Sequence, residues 1–307
     1  MDRFPADVLW CMLSGIGTLA QGIMTERFST SLIGEAKTLL LATDGSHFSD
    51  GAIQEAIFFS QACGARLIVL HTVRIEAESA KAAHSKIIQQ QQSIEPHLSL
   101  IRKMAMDSGI DFETKVLSTG NPEKTIVEQA RLHNADVILM GRHGKTARLS
   151  LLVGSMTAKV IGLGFPKVLV VPKNFLITGA HVLLAMDGSP NSLLAMREAL
   201  NMGRTCATLE RLTIISVARR AEGLSLAEKL VNEACAQLQM DGLRADCEPI
   251  ALTGNPVELI TQTAREKNTD MILLGGQGKN NMAKLLMGHV TENVIGRAHC
   301  AVLVVTS

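Results

Sequence analysis

The stretch from residue 38 to residue 46, TLLLATDGS, decides the fold, because it joins a short apolar strand to an acidic turn. The same stretch returns at residues 181–189 as HVLLAMDGS. Three further segments recur in the same order, namely TGNP (119–122 and 253–256), ADVILMG and TDMILLG (135–141 and 269–275), and KVLVV and AVLVV (167–171 and 301–305). Ordered self-similarity of this kind indicates two copies of one structural unit.

Apolar strands alternate with helical patterns in each half. In the first half strands are expected at 38–43, 66–73, 111–117, 136–140 and 167–171. The longest helix is expected from about 76 to 108, with an interruption near Pro96, because proline removes a helical hydrogen bond. The second half repeats the pattern with a shorter second helix at about 225–240. This alternation predicts an α/β fold of parallel βαβ units with right-handed crossovers.

The repeat also predicts the domain organisation. An extension at 1–36 precedes one domain at 37–173 and a second at 179–307. Two equivalent units in one chain are expected to pack about a pseudo-twofold axis, as a covalent version of a symmetric dimer. Whether the chain dimerises further stays open.

Bulk composition excludes several classes of protein. Lys plus Arg is 30 and Asp plus Glu is 29, tyrosine is absent, and tryptophan occurs once. A nucleic-acid partner is therefore not expected, because such proteins usually show a basic excess and aromatic stacking surfaces. The apolar stretch at 9–24 carries several polar residues and glycines and is too short to span a membrane, so membrane association is not expected. The six cysteines form no C-x-x-C pair, which favours reduced thiols and a cytoplasmic location.

Glycines of defined spacing follow the fourth strand. Gly141-Arg142-His143-Gly144 is followed, after nine intervening residues, by Gly154-Ser155 at the start of a helix. Glycines let main chain approach a phosphate closely, and free N–H groups at a helix start favour an anion. In an open parallel sheet, ligands bind beyond the carboxyl ends of the strands, where the strand order reverses. The acidic turn at Asp44 and the glycine motif are therefore expected to share one crevice.

These features together resemble the universal stress protein family in its tandem form, over about residues 37–172 and 180–306. The resemblance implies a five-stranded sheet of order 3-2-1-4-5 in each half. It also implies an ATP or AMP site, with Mg²⁺ as a candidate ion, and a role in stress response rather than in metabolism.

The resemblance assigns site residues by position in the first half. Asp44 is expected to approach the ribose or a phosphate-bound metal, and the main chain of Thr72 is expected to contact adenine. The residues expected to hold the phosphates are Gly141, Arg142, Gly144, Gly154, Ser155 and Thr157, with Lys145 and Arg148 adding positive charge in the same loop.

The second half departs from this pattern at one position. The corresponding residues are Asp187, Val217, Gly275, Gly278, Gly288 and His289, and Thr291 keeps the threonine found at Thr157. His289 stands where the family has Ser or Thr, so a phosphate-binding hydroxyl is lost and a bulkier ring replaces it. The second site is therefore expected to be weakened or vacant, although the histidine could also donate to an anion.

Alternative interpretations remain. Asp44 and Asp187 could cap the helices that follow them. A metal site formed by His47, His71 and His143 is not expected, since the short ligand spacing of zinc sites is missing. No G-x-S-x-G elbow or Walker lysine occurs, so no catalytic residue is assigned and enzymatic activity is at most slow ATP hydrolysis. The main alternative function is an interaction module without nucleotide, bound to an unknown protein partner.

Overall fold

The computed structural model describes residues 36–75, 80–144, 153–276 and 287–307. Residues 1–35 of the N-terminal extension lie outside these ranges, as do Lys145, Arg148 and Gly278. Within the described ranges, strands and helices alternate through both halves as the sequence predicts.

The first half contains strands β1–β5 and helices α1–α4. In chain order these are β1 (Thr38–Ala42), α1 (Asp50–Cys63), β2 (Arg66–Arg74), α2 (Ala80–Asp107), β3 (Phe112–Thr119), α3 (Pro122–Leu132), β4 (Val137–Gly141), α4 (Ser155–Gly162) and β5 (Lys167–Val171). The second half repeats them as β6 (His181–Ala185), α5 (Pro190–Thr205), β7 (Arg211–Ala218), α6 (Leu224–Met240), β8 (Asp246–Thr253), α7 (Pro256–Glu266), β9 (Met271–Gly275), α8 (His289–Arg297) and β10 (Ala301–Val305).

All ten of these strands belong to one sheet, with the order β3-β2-β1-β4-β5-β10-β9-β6-β7-β8. Each half therefore has the expected order 3-2-1-4-5, and the neighbouring strands within a half are parallel. The expectation of two separate sheets needs correction, because β5 and β10 pair and join the halves into one sheet.

The joint between the halves has the symmetry expected of a dimer. Strands β5 and β10 pair antiparallel, with Leu169 opposite Leu303. These two leucines occupy equivalent places in KVLVV and AVLVV, so the pseudo-twofold axis passes through their pair. Because the joint is antiparallel, the strands of the two halves run in opposite directions, and their carboxyl ends lie at opposite ends of the strands across the sheet.

Two hydrophobic clusters cover the two faces of the sheet, and each contains residues of both halves. Leu169 and Leu303 belong to one cluster, and Val168 and Val304 to the other. Alternate residues of a strand face opposite sides, so helices cover both faces and the strands are apolar throughout. The core is therefore shared between the halves.

Helix α2 corrects one sequence expectation. It runs from Ala80 to Asp107 with Pro96 inside it and is not interrupted there. Pro96 is exposed, while Ile94, Leu98 and Ile101 are buried on the opposite side of the helix. Their packing on the sheet continues across the proline and outweighs the lost hydrogen bond.

The cysteines require a second correction. Cys235 in α6 and Cys247 in β8 form a disulfide, with Cα atoms 5.8 Å apart. Cys63, Cys206 and Cys300 are free. The paired residues are 12 positions apart and meet because the helix packs back on the strand that follows it. The prediction of reduced thiols is wrong for this pair, and the argument for a reducing compartment loses its support there.

No helix among the described residues is long and apolar enough to cross a membrane.

Because the sheet and both clusters are continuous, we expect the protein to unfold in a single cooperative transition. Leu303→Ala should lower the free energy of unfolding by about 2–5 kcal/mol, because Leu303 is fully buried at the joint. Chemical denaturation followed by circular dichroism would show one shifted transition. Leu193→Ala is the control, since Leu193 is 47% exposed. Two separate transitions would contradict a shared core.

Candidate functional site

The first half has a cavity of about 710 Å³ at the carboxyl ends of its strands. This volume falls within the range of about 300–1,000 Å³ that is usual for small-molecule sites. The cavity lies at the point where the order reverses between β1 and β4, as expected for a doubly wound sheet. Asp44, Thr72, Gly141, Gly144, Gly154, Ser155 and Thr157, all predicted from the sequence, line it.

Asp44 has a structural contact on one side and the glycine loop on the other. Its Oδ1 accepts hydrogen bonds from the N–H of Ser46 at 3.0 Å and from its hydroxyl at 2.6 Å. Its Oδ2 lies 2.9 Å from the position that a Cβ on Gly144 would take. The carboxylate therefore stabilises the turn after β1 and borders the loop after β4. It does not cap the following helix as the capping alternative expected, because the N-cap of α1 is Ser49.

The spaced glycines allow two close approaches of main chain. A Cβ on Gly141 would lie 2.7 Å from the carbonyl oxygen of Phe48, and one on Gly154 would lie 3.0 Å from that of Arg142. The Gly154 N–H donates to the same Arg142 oxygen at 2.8 Å, which closes the base of the loop. Glycine at these positions is therefore required by packing of the loop itself.

Helix α4 begins directly beside this loop. Gly154 is its N-cap and provides no side-chain cap, so the first N–H groups of the helix have no intrahelical partner. Ser155 is exposed at the helix start and lines the cavity. The hydroxyl of Thr157, in contrast, is buried and donates to the Gly141 carbonyl oxygen at 3.0 Å, so its observed contact is structural.

The rest of the cavity lining combines apolar walls with polar side chains. The apolar lining includes Leu70, Pro122, Ile126, Met140 and Met156. Arg74 at the end of β2 and Gln90 and Ser93 of α2 also line it, and sequence reasoning missed all three. Arg74 could have been found from the repeat, because Arg219 occupies the equivalent position and lines the cavity of the second half.

Histidine side chains support the floor of this crevice. His71 is buried, and its Nδ1 donates to the Thr43 carbonyl oxygen at 2.9 Å. The Thr43 hydroxyl lies 3.1 Å from Nε2 of His97 and accepts from the Gly45 N–H at 3.1 Å. Within the described ranges, no three His, Cys, Asp or Glu side chains are arranged to hold a metal ion.

His143 belongs to the glycine loop and lines the cavity. Burial, reinforced by the charge of Arg142, lowers its pKa below the ordinary histidine value. The ring also contacts Phe48 edge-on, with centroids 6.2 Å apart. His143 therefore favours its neutral form while the crevice holds no anion.

Arg142 does not take the place predicted for it. Its side chain turns away from the first cavity and donates to the carbonyl oxygens of Gly296, at 3.5 Å, and Ala298 in the second half. Arg142 is absent from the cavity lining, whereas its neighbours His143 and Gly144 belong to it. The sequence pattern placed the residue in the correct loop but could not give the direction of its side chain.

The second half has a smaller cavity, of about 510 Å³, at the opposite edge of the sheet. Asp187, Val217, Gly275, Gly288, His289 and Thr291 line it. Gly288 donates to the Gly276 carbonyl oxygen at 2.9 Å and Thr291 to that of Gly275 at 2.9 Å, as their equivalents do in the first half. The main-chain arrangement is therefore repeated, and the side chains differ.

Three substitutions distinguish the two crevices. His289 stands at the helix start in place of Ser155, and Met186 and Ser216 replace the Thr43–His71 pair. Asp187 is exposed, whereas Asp44 is half-buried. Helix α2 contributes Gln90 and Ser93 to the first cavity, but the lining of the second includes no residue of the shorter α6. The first cavity is consequently the larger of the two.

The sheet and its two crevices define a tandem, doubly wound α/β protein with one cleft per half. The chain belongs to the universal stress protein family, which it matches over residues 35–172 and 180–306. It is 24% identical over 298 residues to the universal stress protein Slr1230 of Synechocystis sp., covering 87% of this chain and 99% of that protein. It is 32% identical over 143 residues to the universal stress protein MJ0531 of Methanocaldococcus jannaschii, covering 45% of this chain and 82% of the relative.

A solved structure confirms the fold. A universal stress protein from Archaeoglobus fulgidus superposes with a TM-score of 0.69 at 20% identity, covering 88% of this chain and 98% of that one.

Gly141→Ala should destabilise the protein by about 1–3 kcal/mol, because the added methyl meets main-chain atoms of Phe48 that cannot rotate away. Thermal denaturation would measure the change. Gly120→Ala is a matched control with no atom within 4 Å of the added Cβ, and it should shift stability by less than about 0.5 kcal/mol. Equal effects of the two substitutions would show that the close approach at Gly141 is unimportant.

Proposed function

We propose that the first half binds an adenine nucleotide, ATP or AMP, and that the chain acts as a regulatory protein in a stress response. The observation that carries the proposal is the single cavity that joins Asp44, the glycine loop and the start of α4. Helix-start N–H groups and glycine main chain suit phosphate oxygens, and a carboxylate suits ribose hydroxyls. The resemblance to the family, now established as membership, supports the same assignment.

The shape of the cavity supports a ligand with a flat apolar part. Leu70 and Thr72 of β2 line the cavity on one side of β1, together with Ile126 of α3, which packs against β2. Met140 of β4 and Met156 of α4 add apolar surface beside the glycine loop. The phosphate-binding features lie on the other side of β1, toward β4. A nucleoside phosphate laid across the carboxyl end of β1 would place its base and its phosphates against matching surfaces. Mg²⁺ would be carried by the nucleotide phosphates near Asp44.

We propose that the second crevice binds nucleotide more weakly. Its helix-start amides and glycines remain, but a histidine replaces the hydroxyl at the helix start and the cavity is smaller. A nucleotide there would also lack the cover that α2 gives in the first half. Occupancy of the chain should therefore be dominated by one site.

Isothermal titration of the full chain with ATP and Mg²⁺ should show about one site per chain. Asp44→Asn should weaken binding by about tenfold or more, because a charge-assisted contact to the ligand is lost while the amide oxygen can still accept from Ser46. Asp187→Asn is the matched control at the equivalent position of the second crevice, and it should leave the affinity and stoichiometry of the main site unchanged.

No heat of binding at millimolar ATP or AMP would refute nucleotide binding and favour the alternative, a module that binds a protein partner. Equal losses in the two variants would mean that the crevices are equivalent.

Nucleotide affinity should rise as the pH falls through the range around the ordinary histidine pKa of about 6.5. Burial and the charge of Arg142 lower the pKa of His143, and a bound anion would stabilise its imidazolium and raise that pKa. Binding then takes up a proton, so lower pH favours the complex. Titrations at several pH values would measure the slope. His143→Gln should flatten it to the part due to the phosphates themselves, and an unchanged slope would contradict this role.

A further inference from the structure

The side chain of Arg142 connects the two halves directly. It starts in the loop that follows β4 of the first half and ends at α8 of the second half. There Nη1 donates to the carbonyl oxygen of Gly296 at 3.5 Å and Nη2 donates to that of Ala298. These two carbonyls belong to the last turn and the C-cap of α8, so the arginine closes the end of that helix.

The contact is favourable for a simple electrostatic reason. The last carbonyls of a helix have no intrahelical donors, and the helix dipole attracts a cation to this end. Burial lowers the pKa of Arg142, but a guanidinium remains charged in proteins. Its Nε is buried and has no hydrogen-bond partner among the described residues. The hydrogen bonds that hold this cation within the described ranges are thus the two from its Nη atoms to the end of α8.

The main chain of the same residue belongs to the candidate phosphate loop. Its N–H donates to the Val171 carbonyl oxygen at 3.3 Å, and its own carbonyl oxygen accepts from Gly154 at 2.8 Å. Gly154 is the N-cap of α4, and His143 and Gly144 line the cavity. The residue that closes the base of this loop is therefore also the one that holds α8.

The link runs in one direction only. The position equivalent to Arg142 in the second half is Gly276, which has no side chain to reach back. A Cβ at Gly276 would lie 2.3 Å from Cγ2 of Thr306, so that space is already filled. The pseudo-twofold symmetry is broken at this point, and among the described residues no side chain equivalent to Arg142 reaches from the second half back to the first.

We propose that Arg142 is a positioning residue, which holds the phosphate loop of the first crevice by anchoring it to α8 of the second half. The inference rests on the proposed nucleotide site. A ligand that fixes the loop reduces the freedom of Arg142 and thereby stabilises the end of α8. Coupling between two sites is reciprocal. If ligand binding stabilises the contact between Arg142 and α8 by some factor, loss of that contact must weaken ligand binding by the same factor. Because α8 begins at His289, its far end borders the second crevice.

Hydrogen exchange of the full chain, with and without saturating ATP, tests the proposal. In the unsubstituted protein ATP should slow exchange in the last turn of α8, residues 293–298, by up to about tenfold. Arg142→Met should abolish this slowing at saturating ATP and weaken ATP binding by roughly tenfold in titration. Arg142→Lys keeps the cation and should restore part of both effects, which a purely structural role of the side chain would not require.

Lys167→Met provides the matched control. Lys167 of β5 forms an ion pair at 2.7 Å with Glu198 of α5, so this contact also crosses between the halves but does not involve the loop. Lys167→Met should lower stability and leave both the affinity for ATP and the slowing in α8 intact.

Two results would overturn the inference. One is ATP binding to the unsubstituted protein without any change in exchange of α8. The other is a slowing in Arg142→Met equal to that in the unsubstituted protein, which would mean that Arg142 carries no coupling. If titration shows no ATP binding at all, the proposed function fails and the inference fails with it. If ATP binds but exchange in α8 does not respond, only the inference fails, so the two outcomes can be told apart.

Discussion

The antiparallel pairing of β5 with β10 is the interaction on which the rest of the structure depends. It joins two half-sheets into one and places Leu169 against its equivalent, Leu303. Strands in the two halves then point in opposite directions, so their crevices open at opposite edges. The same reversal brings Arg142, in the glycine loop of the first half, beside the end of α8. Without it Arg142 would have no carbonyls to contact.

The two halves show how a common backbone can hold different sites. Both repeat the closure of the loop by a glycine N–H and the buried threonine that binds the end of the fourth strand. Those contacts involve main-chain atoms and the threonine hydroxyls that bind them. They hold the main chain that borders each crevice. The side chains that line the cavities differ, with Thr43 and Ser155 in one half and Met186 and His289 in the other. Retention of the scaffold and divergence of the lining favour one dominant site.

Tertiary packing overrides local preference at several places. Helix α2 continues past Pro96, since Ile94 and Leu98 on either side of it are buried against the sheet. Cys235 and Cys247 meet because α6 folds back on β8, although nothing in their spacing indicates a pair. In both cases long-range burial supplies a free energy that no local window of sequence reveals.

Resemblance to a known family supplied the strand order within each half. The sequence by itself determined the repeated unit, the class of fold and the elements that border the crevices. These features depend on apolar periodicity and on glycine spacing, which are local properties that can be counted along the chain. Only the tertiary structure decided that the halves share one sheet, that Arg74 lines the cavity, and that Arg142 leaves it for the second half. The direction of a long side chain and the pairing of two sheet edges depend on which surfaces meet in space, and the order of residues does not encode that locally.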